Sequence, residues 1–174
     1  MRDYIIALDQ GTTSSRAIVF DKQGAIVSQG QYPLPQHYPQ PGWVEHDPMD
    51  ILRTQLMSLA SAWEKAGLSP GQVAAIGVTN QRETVGLWDR ETGEPVCEAI
   101  VWQCNRASQL CNAIQTPETE EMVLKKTGLK LSPFFSAPKV AWILQNIPGA
   151  REKAEAGKHN LQNISEEFSC TIIS

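Results

Sequence analysis

The residues with the clearest chemical potential lie near the start of the chain. Leu8-Asp9-Gln10-Gly11-Thr12-Thr13-Ser14-Ser15-Arg16 places a carboxylate, a glycine, four hydroxyl residues and an arginine in one short run. Backbone N–H groups and hydroxyls in a tight turn wrap phosphate oxygens. The planar fork of Arg16 matches phosphate and neutralises its charge. Asp9 is placed to hold Mg²⁺ through water, since Mg²⁺ is usually bound by one or two carboxylates plus phosphates. The apolar runs on either side, residues 4–8 and 17–20, read as strands. The segment is therefore a phosphate loop inside a β-hairpin. It is not a P-loop, whose glycines open onto a helix and end in Gly-Lys-Ser/Thr. The same residues also fit an ordinary Gly-Thr-Thr hairpin turn.

A second constellation is Asn80-Gln81-Arg82-Glu83-Thr84, polar between two apolar runs. A plain loop would explain it. Yet a carboxylate accepts hydrogen bonds from hydroxyls, and a guanidinium donates several in a fixed fork. Arg82 and Glu83 together suit a polyol or sugar, and ligands of open α/β sheets gather beyond the carboxyl ends of strands. Trp102 offers an apolar wall for a small carbon skeleton, or fills a core. Ser132-Pro133-Phe134-Phe135-Ser136 reads as a loop closing the site, or as an aromatic anchor before a helix capped by Ser136. Trp43, Trp63, Trp88 and Trp142 read as core residues. His37, His46 and His159 are scattered and are assigned no chemistry.

These groups need a frame. Strands are predicted at 4–9, 14–21 and 25–31, forming an antiparallel meander. A proline-rich loop follows from Pro33 to Pro48. Asp47 as N-cap and Pro48 at the first helical position start a helix that Gly67 stops. Its apolar face is read as Ile51, Leu52, Leu56, Leu59, Ala60 and Trp63. Residues 73–79 read as a buried parallel strand. Further strands are predicted at 85–88 and 96–102, and helices at 106–115, 118–126, 136–146 and 149–156. The order βββαβ, then a hairpin, then helices, is an α/β fold with a mixed sheet.

The totals agree with a globular domain. The chain has 174 residues, 41% hydrophobic and 20% charged, with a net charge of −4; this argues against disorder. No basic stripe suggests a nucleic-acid partner. The first apolar run is too short for a signal-peptide core or a membrane span. The four cysteines, Cys97, Cys104, Cys111 and Cys170, lack paired spacing. They read as reduced thiols of a cytoplasmic protein without zinc.

Taken together, five stretches resemble the N-terminal part of the glycerol kinase family. That family lies within the carbohydrate kinases of the ribonuclease H-like (actin-like ATPase) fold. The stretches are residues 7–16, Tyr38-Pro39-Gln40-Pro41-Gly42-Trp43-Val44-Glu45-His46-Asp47-Pro48, residues 77–84, Trp88-Asp89-Arg90-Glu91-Thr92-Gly93-Glu94-Pro95, and Ala99-Ile100-Val101-Trp102-Gln103. The resemblance implies ATP-dependent phosphorylation of glycerol to glycerol 3-phosphate, with ATP and Mg²⁺. It assigns Thr12, Thr13, Ser14 and Arg16 to nucleotide phosphates and Asp9 to Mg²⁺. It assigns Arg82, Glu83, Trp102 and the Phe134 position to glycerol or a similar small polyol. A homo-oligomer is implied for the full-length form.

Three departures stand out. Phe134 occupies a position where the family usually has a tyrosine that hydrogen-bonds glycerol, which keeps a related sugar or polyol kinase open. Cys104-Asn105-Arg106 replaces a common arginine pair on a surface helix. The resemblance stops near Gly157, leaving an incomplete domain at 1–157 and a divergent tail at 158–174. The family's general-base aspartate would lie past the chain's end, so no catalytic base is assigned and the chain alone is expected to lack turnover. A non-catalytic, truncated partner of an intact kinase is the remaining reading. A chaperone-type or actin-type ATPase is disfavoured by residues 38–48 and 80–84.

Overall fold

The computed structural model describes residues 3–163. They divide into two compact units. The first comprises residues 3–36 and His46–Arg82, the second His37–Glu45 and Glu83–Asn163.

The first unit is a four-stranded mixed sheet of order β3-β2-β1-β5. β1 (Tyr4–Gln10), β2 (Ser14–Phe20) and β3 (Ile26–Pro33) form the expected antiparallel meander. β5 (Val73–Asn80) lies parallel to β1. One helix, α1 (Pro48–Ala66), covers one face. Its ends follow sequence rules: the Asp47 carboxylate accepts the Met49 N–H, and Gly67 closes the helix in the left-handed conformation. Ile6, Leu8, Ala17, Val19 and Ala62 form the core, with Leu59 and Trp63 against it.

Two expectations fail in this unit. The buried stripe of α1 is only partly the apolar one: Ile51 is buried and Leu59 and Trp63 pack on the core, but polar residues share that face. Ile51, Thr54, Gln55, Ser58 and Ala62 are buried, while Leu56 is 42% exposed. Small polar side chains let the helix approach the sheet closely: a Cβ on Gly30 of β3 would stand 2.2 Å from the Ser58 carbonyl oxygen. The hydroxyls are satisfied by the sheet's own loop and backbone, so their burial costs little. Secondly, β5 is parallel as expected but not buried. Among the described residues it is the edge of its sheet, and Ile76 and Val78 are 37% and 39% exposed.

The second unit is built on β6 (Val85–Asp89), whose residues are all buried. Sheet order is β4-β7-β6-β8, with β4 at Glu45–His46, β7 at Ala99–Ile100 and β8 at His159–Asn163. The expected strand at 96–102 shrinks to two residues because its backbone changes partners. Val96 N–H goes to the Leu87 carbonyl, Val101 N–H to the Val44 carbonyl, and Trp102 N–H to the Thr84 hydroxyl. β8 pairs antiparallel with β6 from Val85↔Asn163 to Asp89↔His159. The rest of the divergent tail, residues 164–174, lies outside the described residues.

Four helices complete this unit: α2 (Ser108–Ile114), α3 (Pro117–Thr127), α4 (Ser136–Asn146) and α5 (Ala150–Glu155). The core joins Val44, Val85, Leu87, Ile100, Val101, Ile143 and Ala150. Arg106 is not the surface charge that the sequence suggested. Its guanidinium lies 3.9 Å from the Trp43 ring and 4.9 Å from that of Trp142, and pairs with Glu45 at 2.7 Å. Burial between two indoles lets a weakly hydrated guanidinium cement a core.

Candidate functional site

The first candidate site is the β1–β2 turn. Gly11 N–H bonds the Ser14 carbonyl at 3.0 Å, closing a loop over Gly11, Thr12 and Thr13. A Cβ on Gly11 would meet that carbonyl oxygen at 2.9 Å, so the turn requires glycine. Below the loop a buried polar network fixes its base. The Ser15 hydroxyl donates to Gln10 Oε1 at 2.9 Å and lies 2.6 Å from the Thr54 hydroxyl. Ser58 donates to the Ser15 carbonyl at 2.9 Å, and Gln55 to the Arg16 carbonyl at 3.0 Å. The polar stripe of α1 is therefore the platform of the loop.

The loop is held from its other side too. Gln36 Nε2 donates to the Thr12 carbonyl at 2.7 Å, and the Leu34 N–H to the Thr13 carbonyl at 3.0 Å. Gln36 Oε1 faces His46 Nε2 at 2.9 Å, and His46 Nδ1 faces Gln81 Nε2 at 3.2 Å. Gln36 uses its amide N–H₂ on carbonyls, so its oxygen accepts from His46 and the proton sits on Nε2. His46 is fully buried. This chain of side chains links the loop to the residue preceding Arg82.

Asp9 and Arg16 register directly opposite each other in the β1–β2 ladder. Their neighbours Gln10, Ser15 and Ala17 point into the α1 face, so by strand alternation Asp9 and Arg16 share the other face. Among the described residues no ion pair joins them, and Arg16 Nε is buried without a hydrogen-bond partner. An orphaned guanidinium N–H beside a tight loop of N–H groups and hydroxyls fits an anionic ligand. No cluster of three or more His, Cys, Asp or Glu side chains among the described residues makes a metal cage. The donor set fits Mg²⁺ carried in with phosphate and water rather than a preformed protein site.

The second candidate site lies within the second unit. Glu83 sits at the sharp turn before β6 with φ of 64°, the one non-glycine residue with positive φ among those described. Its carboxylate accepts from the Ser136 N–H at 2.8 Å and the Ser136 hydroxyl at 2.7 Å. Ser136 is thus the first residue of α4 rather than its cap. The carboxylate of Glu83 fills the capping role, favoured by the helix dipole. Trp102 and Phe134 meet edge to face at 5.7 Å, and Phe134 meets Phe135 at 5.2 Å. A hollow of about 350 Å³ is lined by Trp102, Gln103, Cys104, Asn105, Ser132, Pro133 and Phe134. Arg82 is exposed.

The structure thus brings Thr12, Thr13, Ser14, Arg16 and Asp9 to one loop and strand pair. It brings Trp102 and Phe134 together, with Glu83 tied to the helix that follows Phe134. Sequence reading missed the groups that hold these in place: Gln36, His46, Thr54, Ser58 and Lys139. Lys139 is fully buried and is held at about pKa 8 by burial, with Glu83 pulling the other way. None carries a local signal, because each acts only through a distant partner.

The mixed β3-β2-β1-β5 sheet with its hydroxyl-rich hairpin loop matches the N-terminal domain of carbohydrate kinases. The chain belongs to the FGGY family of carbohydrate kinases, whose N-terminal domain matches residues 4–165. That match takes in the start of the tail that the sequence alone left unassigned. The chain is 57% identical over 157 residues to a glycerol kinase of Shewanella frigidimarina, covering 90% of this chain and 32% of the relative. A crystal structure of Plasmodium falciparum glycerol kinase with ADP superimposes with a TM-score of 0.81 at 34% identity, over 92% of this chain and 32% of that one. A xylulose kinase from Rhodospirillum rubrum gives a TM-score of 0.77 at 27% identity, over 84% and 30%. The chain spans about a third of the length of the relatives it matches. No helix among the described residues is long and apolar enough to cross a membrane.

Proposed function

We propose that this chain supplies the N-terminal part of an ATP-dependent kinase that phosphorylates glycerol to glycerol 3-phosphate. The observation that carries the reading is the pairing of two features in one family member: the locked Gly11–Thr13 hairpin loop with its orphaned Arg16, and the Glu83–Trp102–Phe134 group. Thr12, Thr13, Ser14 and Arg16 bind nucleotide phosphates, and Asp9 holds Mg²⁺ through water. Mg²⁺ supplies charge neutralisation at the phosphates. Arg82 and Glu83 hold polyol hydroxyls, and Trp102 and Phe134 wall the carbon skeleton. Phosphoryl transfer depends on positioning and electrostatic stabilisation more than on covalent chemistry by the protein. Among solved structures the identity is 34% to a glycerol kinase and 27% to a xylulose kinase, and the 57% identical relative is a glycerol kinase; this supports glycerol over xylulose.

The test is a chimera in which residues 1–157 of this chain replace the matching part of the Shewanella frigidimarina enzyme. ATP-dependent formation of glycerol 3-phosphate is expected. It should fall by about 10²-fold or more in the R82A and E83A chimeras, as loss of charged positioning groups does. A chimera that folds but phosphorylates xylulose in preference to glycerol overturns the substrate. One that binds neither nucleotide nor polyol overturns the reading.

A further inference from the structure

Lys139 stands in an unfavourable place. It is fully buried, and it sits in the first turn of α4, where the helix dipole repels a cation. Burial alone holds its pKa down to about 8 from 10.5. A methionine of similar length would avoid both costs. What the ammonium does there is specific: Nζ donates to the carbonyls of Phe134 and, at 3.1 Å, Phe135. These are the two residues that lead into α4. The charged and titratable groups facing it come from three other segments: Glu83 before β6, Cys104 after β7 and Cys111 on α2. Glu83 is itself bonded to Ser136. One buried cation and one carboxylate therefore both hold the 134–136 segment.

We propose that Lys139 is a positioning residue of the polyol pocket: it holds the Phe134 and Phe135 carbonyls so that the Phe134 ring stands against Trp102 and Ser136 stands on Glu83. The inference rests on the reading of Glu83, Trp102 and Phe134 as polyol-binding. Lys139 itself touches no substrate. Its effect on the pocket passes through the backbone that carries Phe134, the position where this chain departs from its resemblance.

The test uses the full chain and K139M, which keeps side-chain length and removes the charge. The Trp102 contribution to fluorescence is isolated by difference against W102F in each background. In the parent it should shift with a midpoint near pH 8, as the ammonium loses its proton and releases the carbonyls. In K139M the shift should vanish, and acrylamide should reach Trp102 more readily. Glycerol affinity, read by calorimetry, should fall about tenfold or more, with the far-UV spectrum unchanged. If K139M does not fold, amide exchange of the parent decides: protection of Phe135 and Ser136 should drop above about pH 8 once intrinsic rates are removed. A Trp102 signal with the same pH profile in K139M overturns the clamp, as does unchanged protection of those amides. If fluorescence and exchange behave as expected but the parent binds no glycerol, the polyol reading fails and the clamp stands as a structural one.

Discussion

The carboxylate of Glu83 accepts both the N–H and the hydroxyl of Ser136, at 2.8 and 2.7 Å. Glu83 adopts φ of 64°, a conformation that costs a non-glycine residue on the order of 1–3 kcal/mol. The two hydrogen bonds to a charged acceptor offset that strain. S136A removes the hydroxyl bond only and should cost about 1 kcal/mol; E83A removes both and should cost about 2–3 kcal/mol. Urea unfolding midpoints measure the difference. Equal effects of the two substitutions would mean that the backbone N–H bond contributes nothing.

The α1 platform gives a second expectation. Ser15 gives its one hydroxyl proton to Gln10, so Thr54 is the donor across their 2.6 Å contact. T54V keeps the volume and removes the hydroxyl. It should lower stability by about 1 kcal/mol and loosen the Gly11–Thr13 loop above it. Amide exchange at Gly11 and Leu34 should accelerate while that of the β1–β2 ladder holds. Exchange that rises uniformly across the sheet would show a general loss of stability and no special link to the loop.

How far the sequence could be read follows the range of the forces involved. The β1–β2–β3 meander, the parallel β5 and the ends of α1 were legible, because strand alternation, Asp47-Pro48 and Gly67 are local signals. The hydroxyl-rich Gly11–Thr13 turn and the Arg82-Glu83 turn were legible as motifs. The inner face of α1 was legible only in part, through Ile51, Leu59 and Trp63. Leu52, Leu56 and Ala60 follow helical apolar spacing, but Thr54 and Ser58 displaced them because their hydroxyls had partners on the hairpin. Arg106 read as a surface charge since nothing local announces Trp43 and Trp142 on either side. Ser136 read as a cap because the carboxylate that does the capping comes from Glu83, far away in sequence. Lys139 and His46 were silent for the same reason.

Acid should destabilise the second unit through Asp89. Its carboxyl is held well below the ordinary carboxylate range, first by the Lys153 ammonium at 2.8 Å and then by the N–H groups of Glu91 and Thr92. A carboxylate bound more tightly when folded contributes stability above its unfolded pKa. That contribution drains away as the pH falls below the unfolded value and towards the folded one. Thermal midpoints should therefore drop through the acid range, and K153M should flatten part of that slope. A K153M profile parallel to that of the parent would show that the backbone N–H groups alone hold the carboxylate.

Thiol reactivity tests the packing around Arg106. Burial pushes Cys97 from 9.0 up to about 11, with Arg106 opposing and Glu45 and Glu98 reinforcing the rise. Burial likewise raises Cys111. The thiolate is the reactive form, so the rise at Cys97 cuts its thiolate population at neutral pH by about 100-fold. Iodoacetamide at about pH 8 should leave Cys97 and Cys111 largely unmodified in the folded chain, and label both quickly once urea is added. Because Arg106 pairs with Glu45 and lies on Trp43, R106M should keep the packing but remove the one charge that favours the Cys97 thiolate, slowing its alkylation further. Faster labelling of Cys97 in R106M would mean that the guanidinium acts chiefly by holding Trp43 and Trp142 closed over the core. Peptide mapping by mass spectrometry at a single early time point separates these outcomes.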